Sequence, residues 1–210
     1  MPPLPPAPFV YPIVDTARLH GRDVGAVVDT LARAGALLLQ LRAKGLPDRQ
    51  VMALAREGLA AAHASGARLV VNDRADIARL VGADGLHVGQ DDLPAEGARA
   101  VVGPEMLLGV STHGLAQLDA ASGEPVDYVA IGPVFPTRTK ENPDPVVGLE
   151  MVRQARALTS RPLVAIGGIT RENARAVVEA GADGVAVVSD LLDAADLARA
   201  FTQLAAAIRG

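Results

Sequence analysis

The segment Val70–Asp92, VVNDRADIARLVGADGLHVGQDD, decides the fold. It opens with a short apolar run ending at Asn72-Asp73. A connector over Ala75–Leu80 carries apolar residues at helical spacing, and a second apolar run from Gly85 to Gly89 leads into Gln90-Asp91-Asp92. Both apolar runs have the length of buried strands, so the segment reads as a strand–helix–strand unit with parallel strands. Parallel strands end on the same rim, which brings Asp73 and Asp92 near one another although they are far apart in the chain. Two carboxylates at neighbouring strand ends suit a divalent cation, which takes hard oxygen ligands and leaves its remaining positions to water and phosphate. An aspartate after a strand is also a common helix N-cap, and either residue can be read that way.

The same rhythm runs outward in both directions. Strand-like runs occur at Phe9–Asp15, Leu37–Lys44, Arg68–Asp73, Gly85–Gln90, Leu107–Thr112, Tyr128–Val134, Leu163–Gly168 and Gly184–Ser189. Helical patterns fall between them, at Val24–Ala34, Asp48–Ala64, Ala75–Leu80, Ala95–Val101, Leu115–Ala121, Leu149–Leu158, Arg171–Ala180 and Ala194–Ile208. Gly-Ala-Asp-Gly recurs at Gly82–Gly85 and Gly181–Gly184, a sign of repeated units. Strands alternating with helices in this way predict an α/β fold, a single (β/α)₈ TIM barrel over residues 9–210. An open doubly wound sheet would carry a glycine-rich dinucleotide turn after its first strand, where this chain has Asp15-Thr16-Ala17-Arg18. Pro12 inside the first strand is a blemish, because a closed barrel has no free edge for a missing N–H. Residues 1–8 are mostly proline and are expected to form a disordered tail.

Composition narrows the function. The 210 residues are half apolar and about a fifth charged, as in globular proteins that bury a core. A formal net charge of −4 argues against nucleic acid or a membrane surface as general partner. With no cysteine there is no disulfide, thiolate metal site or cysteine nucleophile. Neither a signal peptide nor a membrane-length apolar stretch is visible, so a cytoplasmic location is expected. Assembly into a homo-oligomer is left open.

In a barrel of this kind, chemistry gathers at the C-terminal ends of the strands. Side chains alternate along a strand, so Gln40, Arg42 and Lys44 share one face of the second run. Two cations and an amide there suit a polyanion, Arg as a planar fork and Lys as a point charge. His87, between Leu86 and Val88, reads as a hydrogen-bonded barrel histidine. Ser111-Thr112-His113 ends the fifth run, with hydroxyls that can bind a ring nitrogen or phosphate, or cap a helix. The long loop after the sixth run holds Thr137, Thr139 and Lys140 between prolines, as a lid over an anion would. Gly167-Gly168 and Val188-Ser189 end the last two runs, where this fold usually cradles phosphate on backbone N–H groups.

Taken in order, QLRAK, VNDR, GLHVGQDD, GVSTH, GPVFPTRTK, AIGGIT and VVS resemble the thiamine-phosphate synthases, from about the first strand to the last. The resemblance implies a transferase that joins 4-amino-2-methyl-5-hydroxymethylpyrimidine diphosphate to 5-(2-hydroxyethyl)-4-methylthiazole phosphate, releasing pyrophosphate. Carried over by residue, it implies that Gln40, Arg42, Lys44, Asn72 and Lys140 hold the diphosphate and that Asp73 and Asp92 hold Mg²⁺. Ser111 falls at the pyrimidine end, and Thr137 and Thr139 at the thiazole phosphate, which Gly168, Val188 and Ser189 cradle. Arg42, Lys44, Lys140 and Ser111 are the residues the resemblance brings to the chemistry. Asn142 stands where the family often has an acidic residue. Alternatives are a thiazole tautomerase on the same barrel, a non-catalytic barrel that binds thiamine-type ligands as a regulator, and another phosphosugar-type barrel enzyme.

Overall fold

The computed structural model describes residues 4–137, 139 and 144–210. Eight parallel strands close into a barrel in chain order: β1 (Phe9–Asp15), β2 (Leu38–Arg42), β3 (Arg68–Asn72), β4 (Gly85–Val88), β5 (Leu107–Thr112), β6 (Tyr128–Ile131), β7 (Leu163–Ile166) and β8 (Gly184–Val187). The outer helices are α1 (Val24–Arg33), α2 (Asp48–Ala64), α3 (Ala75–Val81), α4 (Ala95–Val102), α5 (Leu115–Ser122), α6 (Gly148–Leu158), α7 (Ala174–Glu179), the short α8 (Ser189–Leu192) and α9 (Leu197–Ala207). This is the expected (β/α)₈ barrel.

Two apolar layers hold it. The larger lies between strands and helices, and takes one set of alternating strand residues, such as Val10 and Val14 of β1 and Leu39 and Leu41 of β2. The other set, including Phe9, Tyr11, Ile13, Leu38, Val70 and Tyr128, fills the barrel interior. The large rings there need room opposite them. A Cβ at Gly109 would stand 2.0 Å from the Tyr128 ring, and one at Gly184 2.5 Å from Phe9. Bulk on one strand is thus matched by its absence on the next, as dense interiors require.

Three details differ from the sequence expectation. Pro12 interrupts nothing: β1 runs unbroken, its ladder with β8 reaching Pro12↔Val187 while its ladder with β2 covers Ile13–Asp15. The described part of the proline-rich segment is packed, with Leu4 against the inner cluster and Pro5 buried, because the barrel's lower mouth offers apolar surface. Residues 1–3 lie outside the described residues. The last helical pattern begins later than expected, as α9, where Asp196 accepts from the Arg199 N–H (2.9 Å) as its cap, and the short α8 precedes it as a helix the pattern did not include.

An aspartate just before each of β4, β6 and β8 secures the rim opposite the strand C-termini. Asp84, Asp127 and Asp183 each accept the backbone N–H of the preceding strand, at Leu69, Leu108 and Leu163, over 2.7–2.8 Å. Each also meets a cation or imidazole from the outer ring: His63, Arg99 and Arg156 respectively. The recurring Gly-Ala-Asp-Gly is the sequence trace of this device at two of the three places. Asp127→Ala leaves the Leu108 N–H without its acceptor and takes the carboxylate from Arg99, which keeps the Pro125, Gly103 and Met106 carbonyls, so a loss of about 2 kcal/mol is expected. Urea unfolding should show a lower midpoint at unchanged slope; an unchanged midpoint would contradict the role.

Candidate active site

The C-terminal ends of the strands surround a cavity of about 430 Å³. Its walls include Gln40, Arg42 and Lys44 from β2 and its loop, Asn72 and Asp73 after β3, Asp92 after β4 and Ser111 from β5. Thr137 and Thr139 from the loop after β6, Gly168 after β7, and Val188 and Ser189 after β8 complete it. The structure therefore brings together the described residues that the sequence singled out, except Thr112, whose buried hydroxyl donates to the Ala130 carbonyl (2.8 Å) instead of lining the cavity. Lys140 and Asn142 lie outside the described residues.

The carboxylates are not helix caps. The N-cap positions of α3 and α4 are Arg74 and Pro94, and neither helix has a side-chain cap bond. Asp73 instead has φ 63°, rare for a residue other than glycine and tolerated best by Asn and Asp. Its N–H donates to the His87 carbonyl (2.8 Å), which fixes this turn against β4. Lys44 Nζ lies 3.0 Å from Asp73 Oδ2. Asp92 accepts from the Gly89 N–H (2.8 Å), closing its own loop. The Asp73 carboxyl is pushed up to about 6, first by burial and then by Asp92 beside it, with Lys44 opposing.

The cation on β2 is also held. Asp15, 2 % exposed at the end of β1, accepts from Arg42 Nη1 (2.6 Å) through one oxygen and from the Ala17 N–H (3.0 Å) through the other. Asp15 was not legible as a site residue, because its partner is on another strand. Facing the β2 cations across the mouth, Gly167 and Gly168 have positive φ and pass close under the loop after β6. A Cβ at Gly168 would meet the Pro136 carbonyl oxygen at 2.5 Å. Only bare backbone fits there.

His87 joins the floor of the cavity, hydrogen-bonded within the barrel as its sequence setting implied. Burial holds its imidazole neutral by pulling it down to about 4. His113, also lining the cavity, contacts the Gly132 carbonyl through Nδ1 (2.7 Å) and Asp144 through Nε2 (3.5 Å). Among the described residues no side-chain nitrogen or oxygen is buried without a partner.

Residues 10–191 match the family described as thiamine monophosphate synthase. The chain belongs to that family. A thiamine-phosphate synthase of Koribacter versatilis is 52% identical over 203 residues, covering 94% of this chain and 95% of the relative. One from Moorella thermoacetica is 42% identical, with 93% of each chain covered. Among solved structures, a thiamine phosphate pyrophosphorylase from Pyrococcus furiosus superposes with a TM-score of 0.85 at 33% identity, over 96% of this chain and 95% of the other. Tryptophan synthase from Mycobacterium tuberculosis, at 18% identity and TM-score 0.73, shares the fold alone. These comparisons do not support the tautomerase or regulator alternatives. No helix among the described residues is long and apolar enough to cross a membrane.

The Asp73 carboxyl makes this family member's stability depend on pH. An unfolded aspartate titrates near about 3.9. The folded state holds the proton more tightly, so the favourable contribution is complete below about pH 4 and is lost as pH rises through about 6. Above that, the Asp73 charge, partly buried beside Asp92, strains the metal-free fold. Asn at 73 keeps shape and φ while removing the charge, and the half-exposed Lys44 loses little. Metal-free Asp73→Asn should melt a few degrees above the parent at about pH 8 and no higher at about pH 4. A lower melting point at the higher pH would contradict this.

Proposed function

We propose that the cavity condenses 4-amino-2-methyl-5-hydroxymethylpyrimidine diphosphate with 5-(2-hydroxyethyl)-4-methylthiazole phosphate, giving thiamine phosphate and pyrophosphate. The observation that carries this reading is the gathering of Arg42, Lys44, Asp73 and Asp92 on one side of the mouth, with Gly167-Gly168 after β7 and Val188-Ser189 after β8 opposite. One side suits a diphosphate and the other a single phosphate.

Arg42, held by Asp15, and Lys44 bind the diphosphate, Arg42 as a fork and Lys44 as a point charge. Asn72 adds an amide beside them, and Lys140 is assigned here from the sequence. Gln40 and Ser111 meet the pyrimidine ring. Thr137, Thr139 and the backbone of Gly168, Val188 and Ser189 take the thiazole phosphate.

Asp73 and Asp92 fit Mg²⁺. They are adjacent oxygen donors whose mutual repulsion a dication relieves. Among the described residues no third acidic or imidazole ligand joins them, as expected of an ion completed by water and substrate phosphate. When bound, the ion supplies charge neutralisation for the departing diphosphate.

In the reaction, the C–O bond to the diphosphate breaks and its electron pair leaves with pyrophosphate. The 4-aminopyrimidine delocalises the positive charge left on the methylene carbon. The thiazole nitrogen then donates its lone pair to that carbon, forming the C–N bond of the thiazolium. No proton passes between the two substrates, and the released pyrophosphate takes one from solvent near neutral pH. The site accordingly offers cations and positioning groups in place of an activated nucleophile.

The deciding experiment is a coupling assay with both substrates, with and without Mg²⁺. Turnover that requires the ion is expected, and a loss of on the order of a hundredfold or more in Asp92→Asn with an unchanged circular dichroism spectrum. Full activity of Asp92→Asn at limiting Mg²⁺ would remove the metal assignment. Titration calorimetry separates the two anion positions. Lys44→Ala should weaken pyrimidine diphosphate binding by about tenfold and leave thiazole phosphate binding within twofold; equal losses would contradict the placement.

A further inference from the structure

Beneath the cavity, five side chains from five strands form a single file. Gln40 Nε2 donates to the Tyr11 hydroxyl (3.0 Å), and the Tyr11 and Tyr128 hydroxyls are 3.1 Å apart. The Tyr128 hydroxyl lies 2.9 Å from His87 Nδ1, and His87 Nε2 lies 2.8 Å from Ser111 Oγ. Tyr11, Gln40, His87 and Tyr128 are all buried, whereas Ser111 opens on the cavity. Nothing in the charge-based account of the reaction uses the two tyrosines or the histidine.

Counting protons gives the file a direction. An amide NH₂ only donates, so the Tyr11 oxygen accepts from Gln40 and its single proton goes to Tyr128. The Tyr128 proton then goes to His87 Nδ1. A neutral imidazole carries one N–H, so an accepting Nδ1 leaves the proton on Nε2, which donates to Ser111 Oγ. Ser111 therefore keeps its own proton as a donor. Gln40, its Nε2 engaged, offers Oε1 as an acceptor. Both residues line the cavity.

We propose that this one-way chain sets the polarity of the cavity floor, acceptor at Gln40 and donor at Ser111, and so selects a 4-aminopyrimidine over its 4-oxo counterpart. Tyr11, Tyr128 and His87 are positioning residues in this scheme, which rests on the substrate assignment above. A 4-aminopyrimidine presents an exocyclic N–H donor beside a ring-nitrogen acceptor, the complement of Oε1 and a serine O–H. The 4-oxo ring presents a carbonyl acceptor beside a ring N–H donor, wrong at both places. Sites that hydrogen-bond a ring edge reject a mismatched analogue strongly, because protein groups are then left unpaired. Reversing the file would reverse the preference.

Two measurements test it. Long-range ¹H–¹⁵N correlation spectra of the parent protein should show His87 as the Nε2–H tautomer; the Nδ1–H form or an imidazolium would overturn the direction. Tyr11→Phe and Tyr128→Phe keep the rings and break the file. Each should reduce the ratio of affinities for the 4-amino over the 4-oxo diphosphate, read by titration calorimetry, by about tenfold or more, with the KM for thiazole phosphate unchanged. In Tyr128→Phe the His87 spectrum should become a mixture of tautomers. An unchanged ratio in both folded variants would overturn the positioning role. A parent that turns over neither pyrimidine would overturn the substrate assignment and the preference drawn from it. In that case the ring tautomer still upholds or overturns the direction of the chain.

Discussion

Closure of eight parallel strands forces all their C-terminal ends onto one rim, and that constraint produces the charge conflict at the centre of this molecule. Asp73 and Asp92 are brought beside each other after β3 and β4, and one of them is held at φ 63° in a partly buried setting. Strain and like charge concentrated at a strand-end cavity are the usual mark of a site that awaits a ligand. The opposite rim shows the contrary arrangement. There, Asp84, Asp127 and Asp183 are each satisfied by a backbone N–H and a basic side chain, and serve the fold. Aspartates at the two rims of the same barrel thus do different work, and their partners distinguish them.

The fold was legible because the chain alternates apolar runs with helical spacing throughout. The rim residues were legible for a related reason: position at the end of a strand is a local property. Gln40, Arg42 and Lys44 could be placed on one face by counting along a single strand. What escaped reading depends on pairs far apart in sequence. Asp15 looks like a loop residue until Arg42 is found against it, 27 residues on. His87 could be read as a barrel histidine but not as a link between Tyr128 and Ser111, since its two partners come from separate strands. The start of α7 was placed too early because Thr170 to Asn173 form a turn, with Asn173 Oδ1 accepting the Thr170 N–H (2.8 Å).

The parts combine into a division of tasks across the cavity. One wall, the side proposed for the diphosphate, carries positive charge and a pair of carboxylates, and Asp15 keeps the guanidinium of that wall in place. The facing wall supplies backbone, kept bare because Gly168 has no room for a side chain. The floor is polar yet uncharged, with its hydrogen bonds satisfied within the barrel. Such a floor can read the edge of a ring without stabilising or quenching a cation above it. Bond cleavage driven by charge, and not by a nucleophile, is the chemistry that suits this arrangement.

The most direct test of that account is calorimetric titration of inorganic pyrophosphate into the protein with and without Mg²⁺. Pyrophosphate and the ion should each tighten the other's binding, and the coupling should vanish when Asp73 and Asp92 are both replaced by asparagine. Pyrophosphate binding of equal strength without the ion, or coupling that survives loss of both carboxylates, would contradict the claim that this rim is built to draw off a diphosphate.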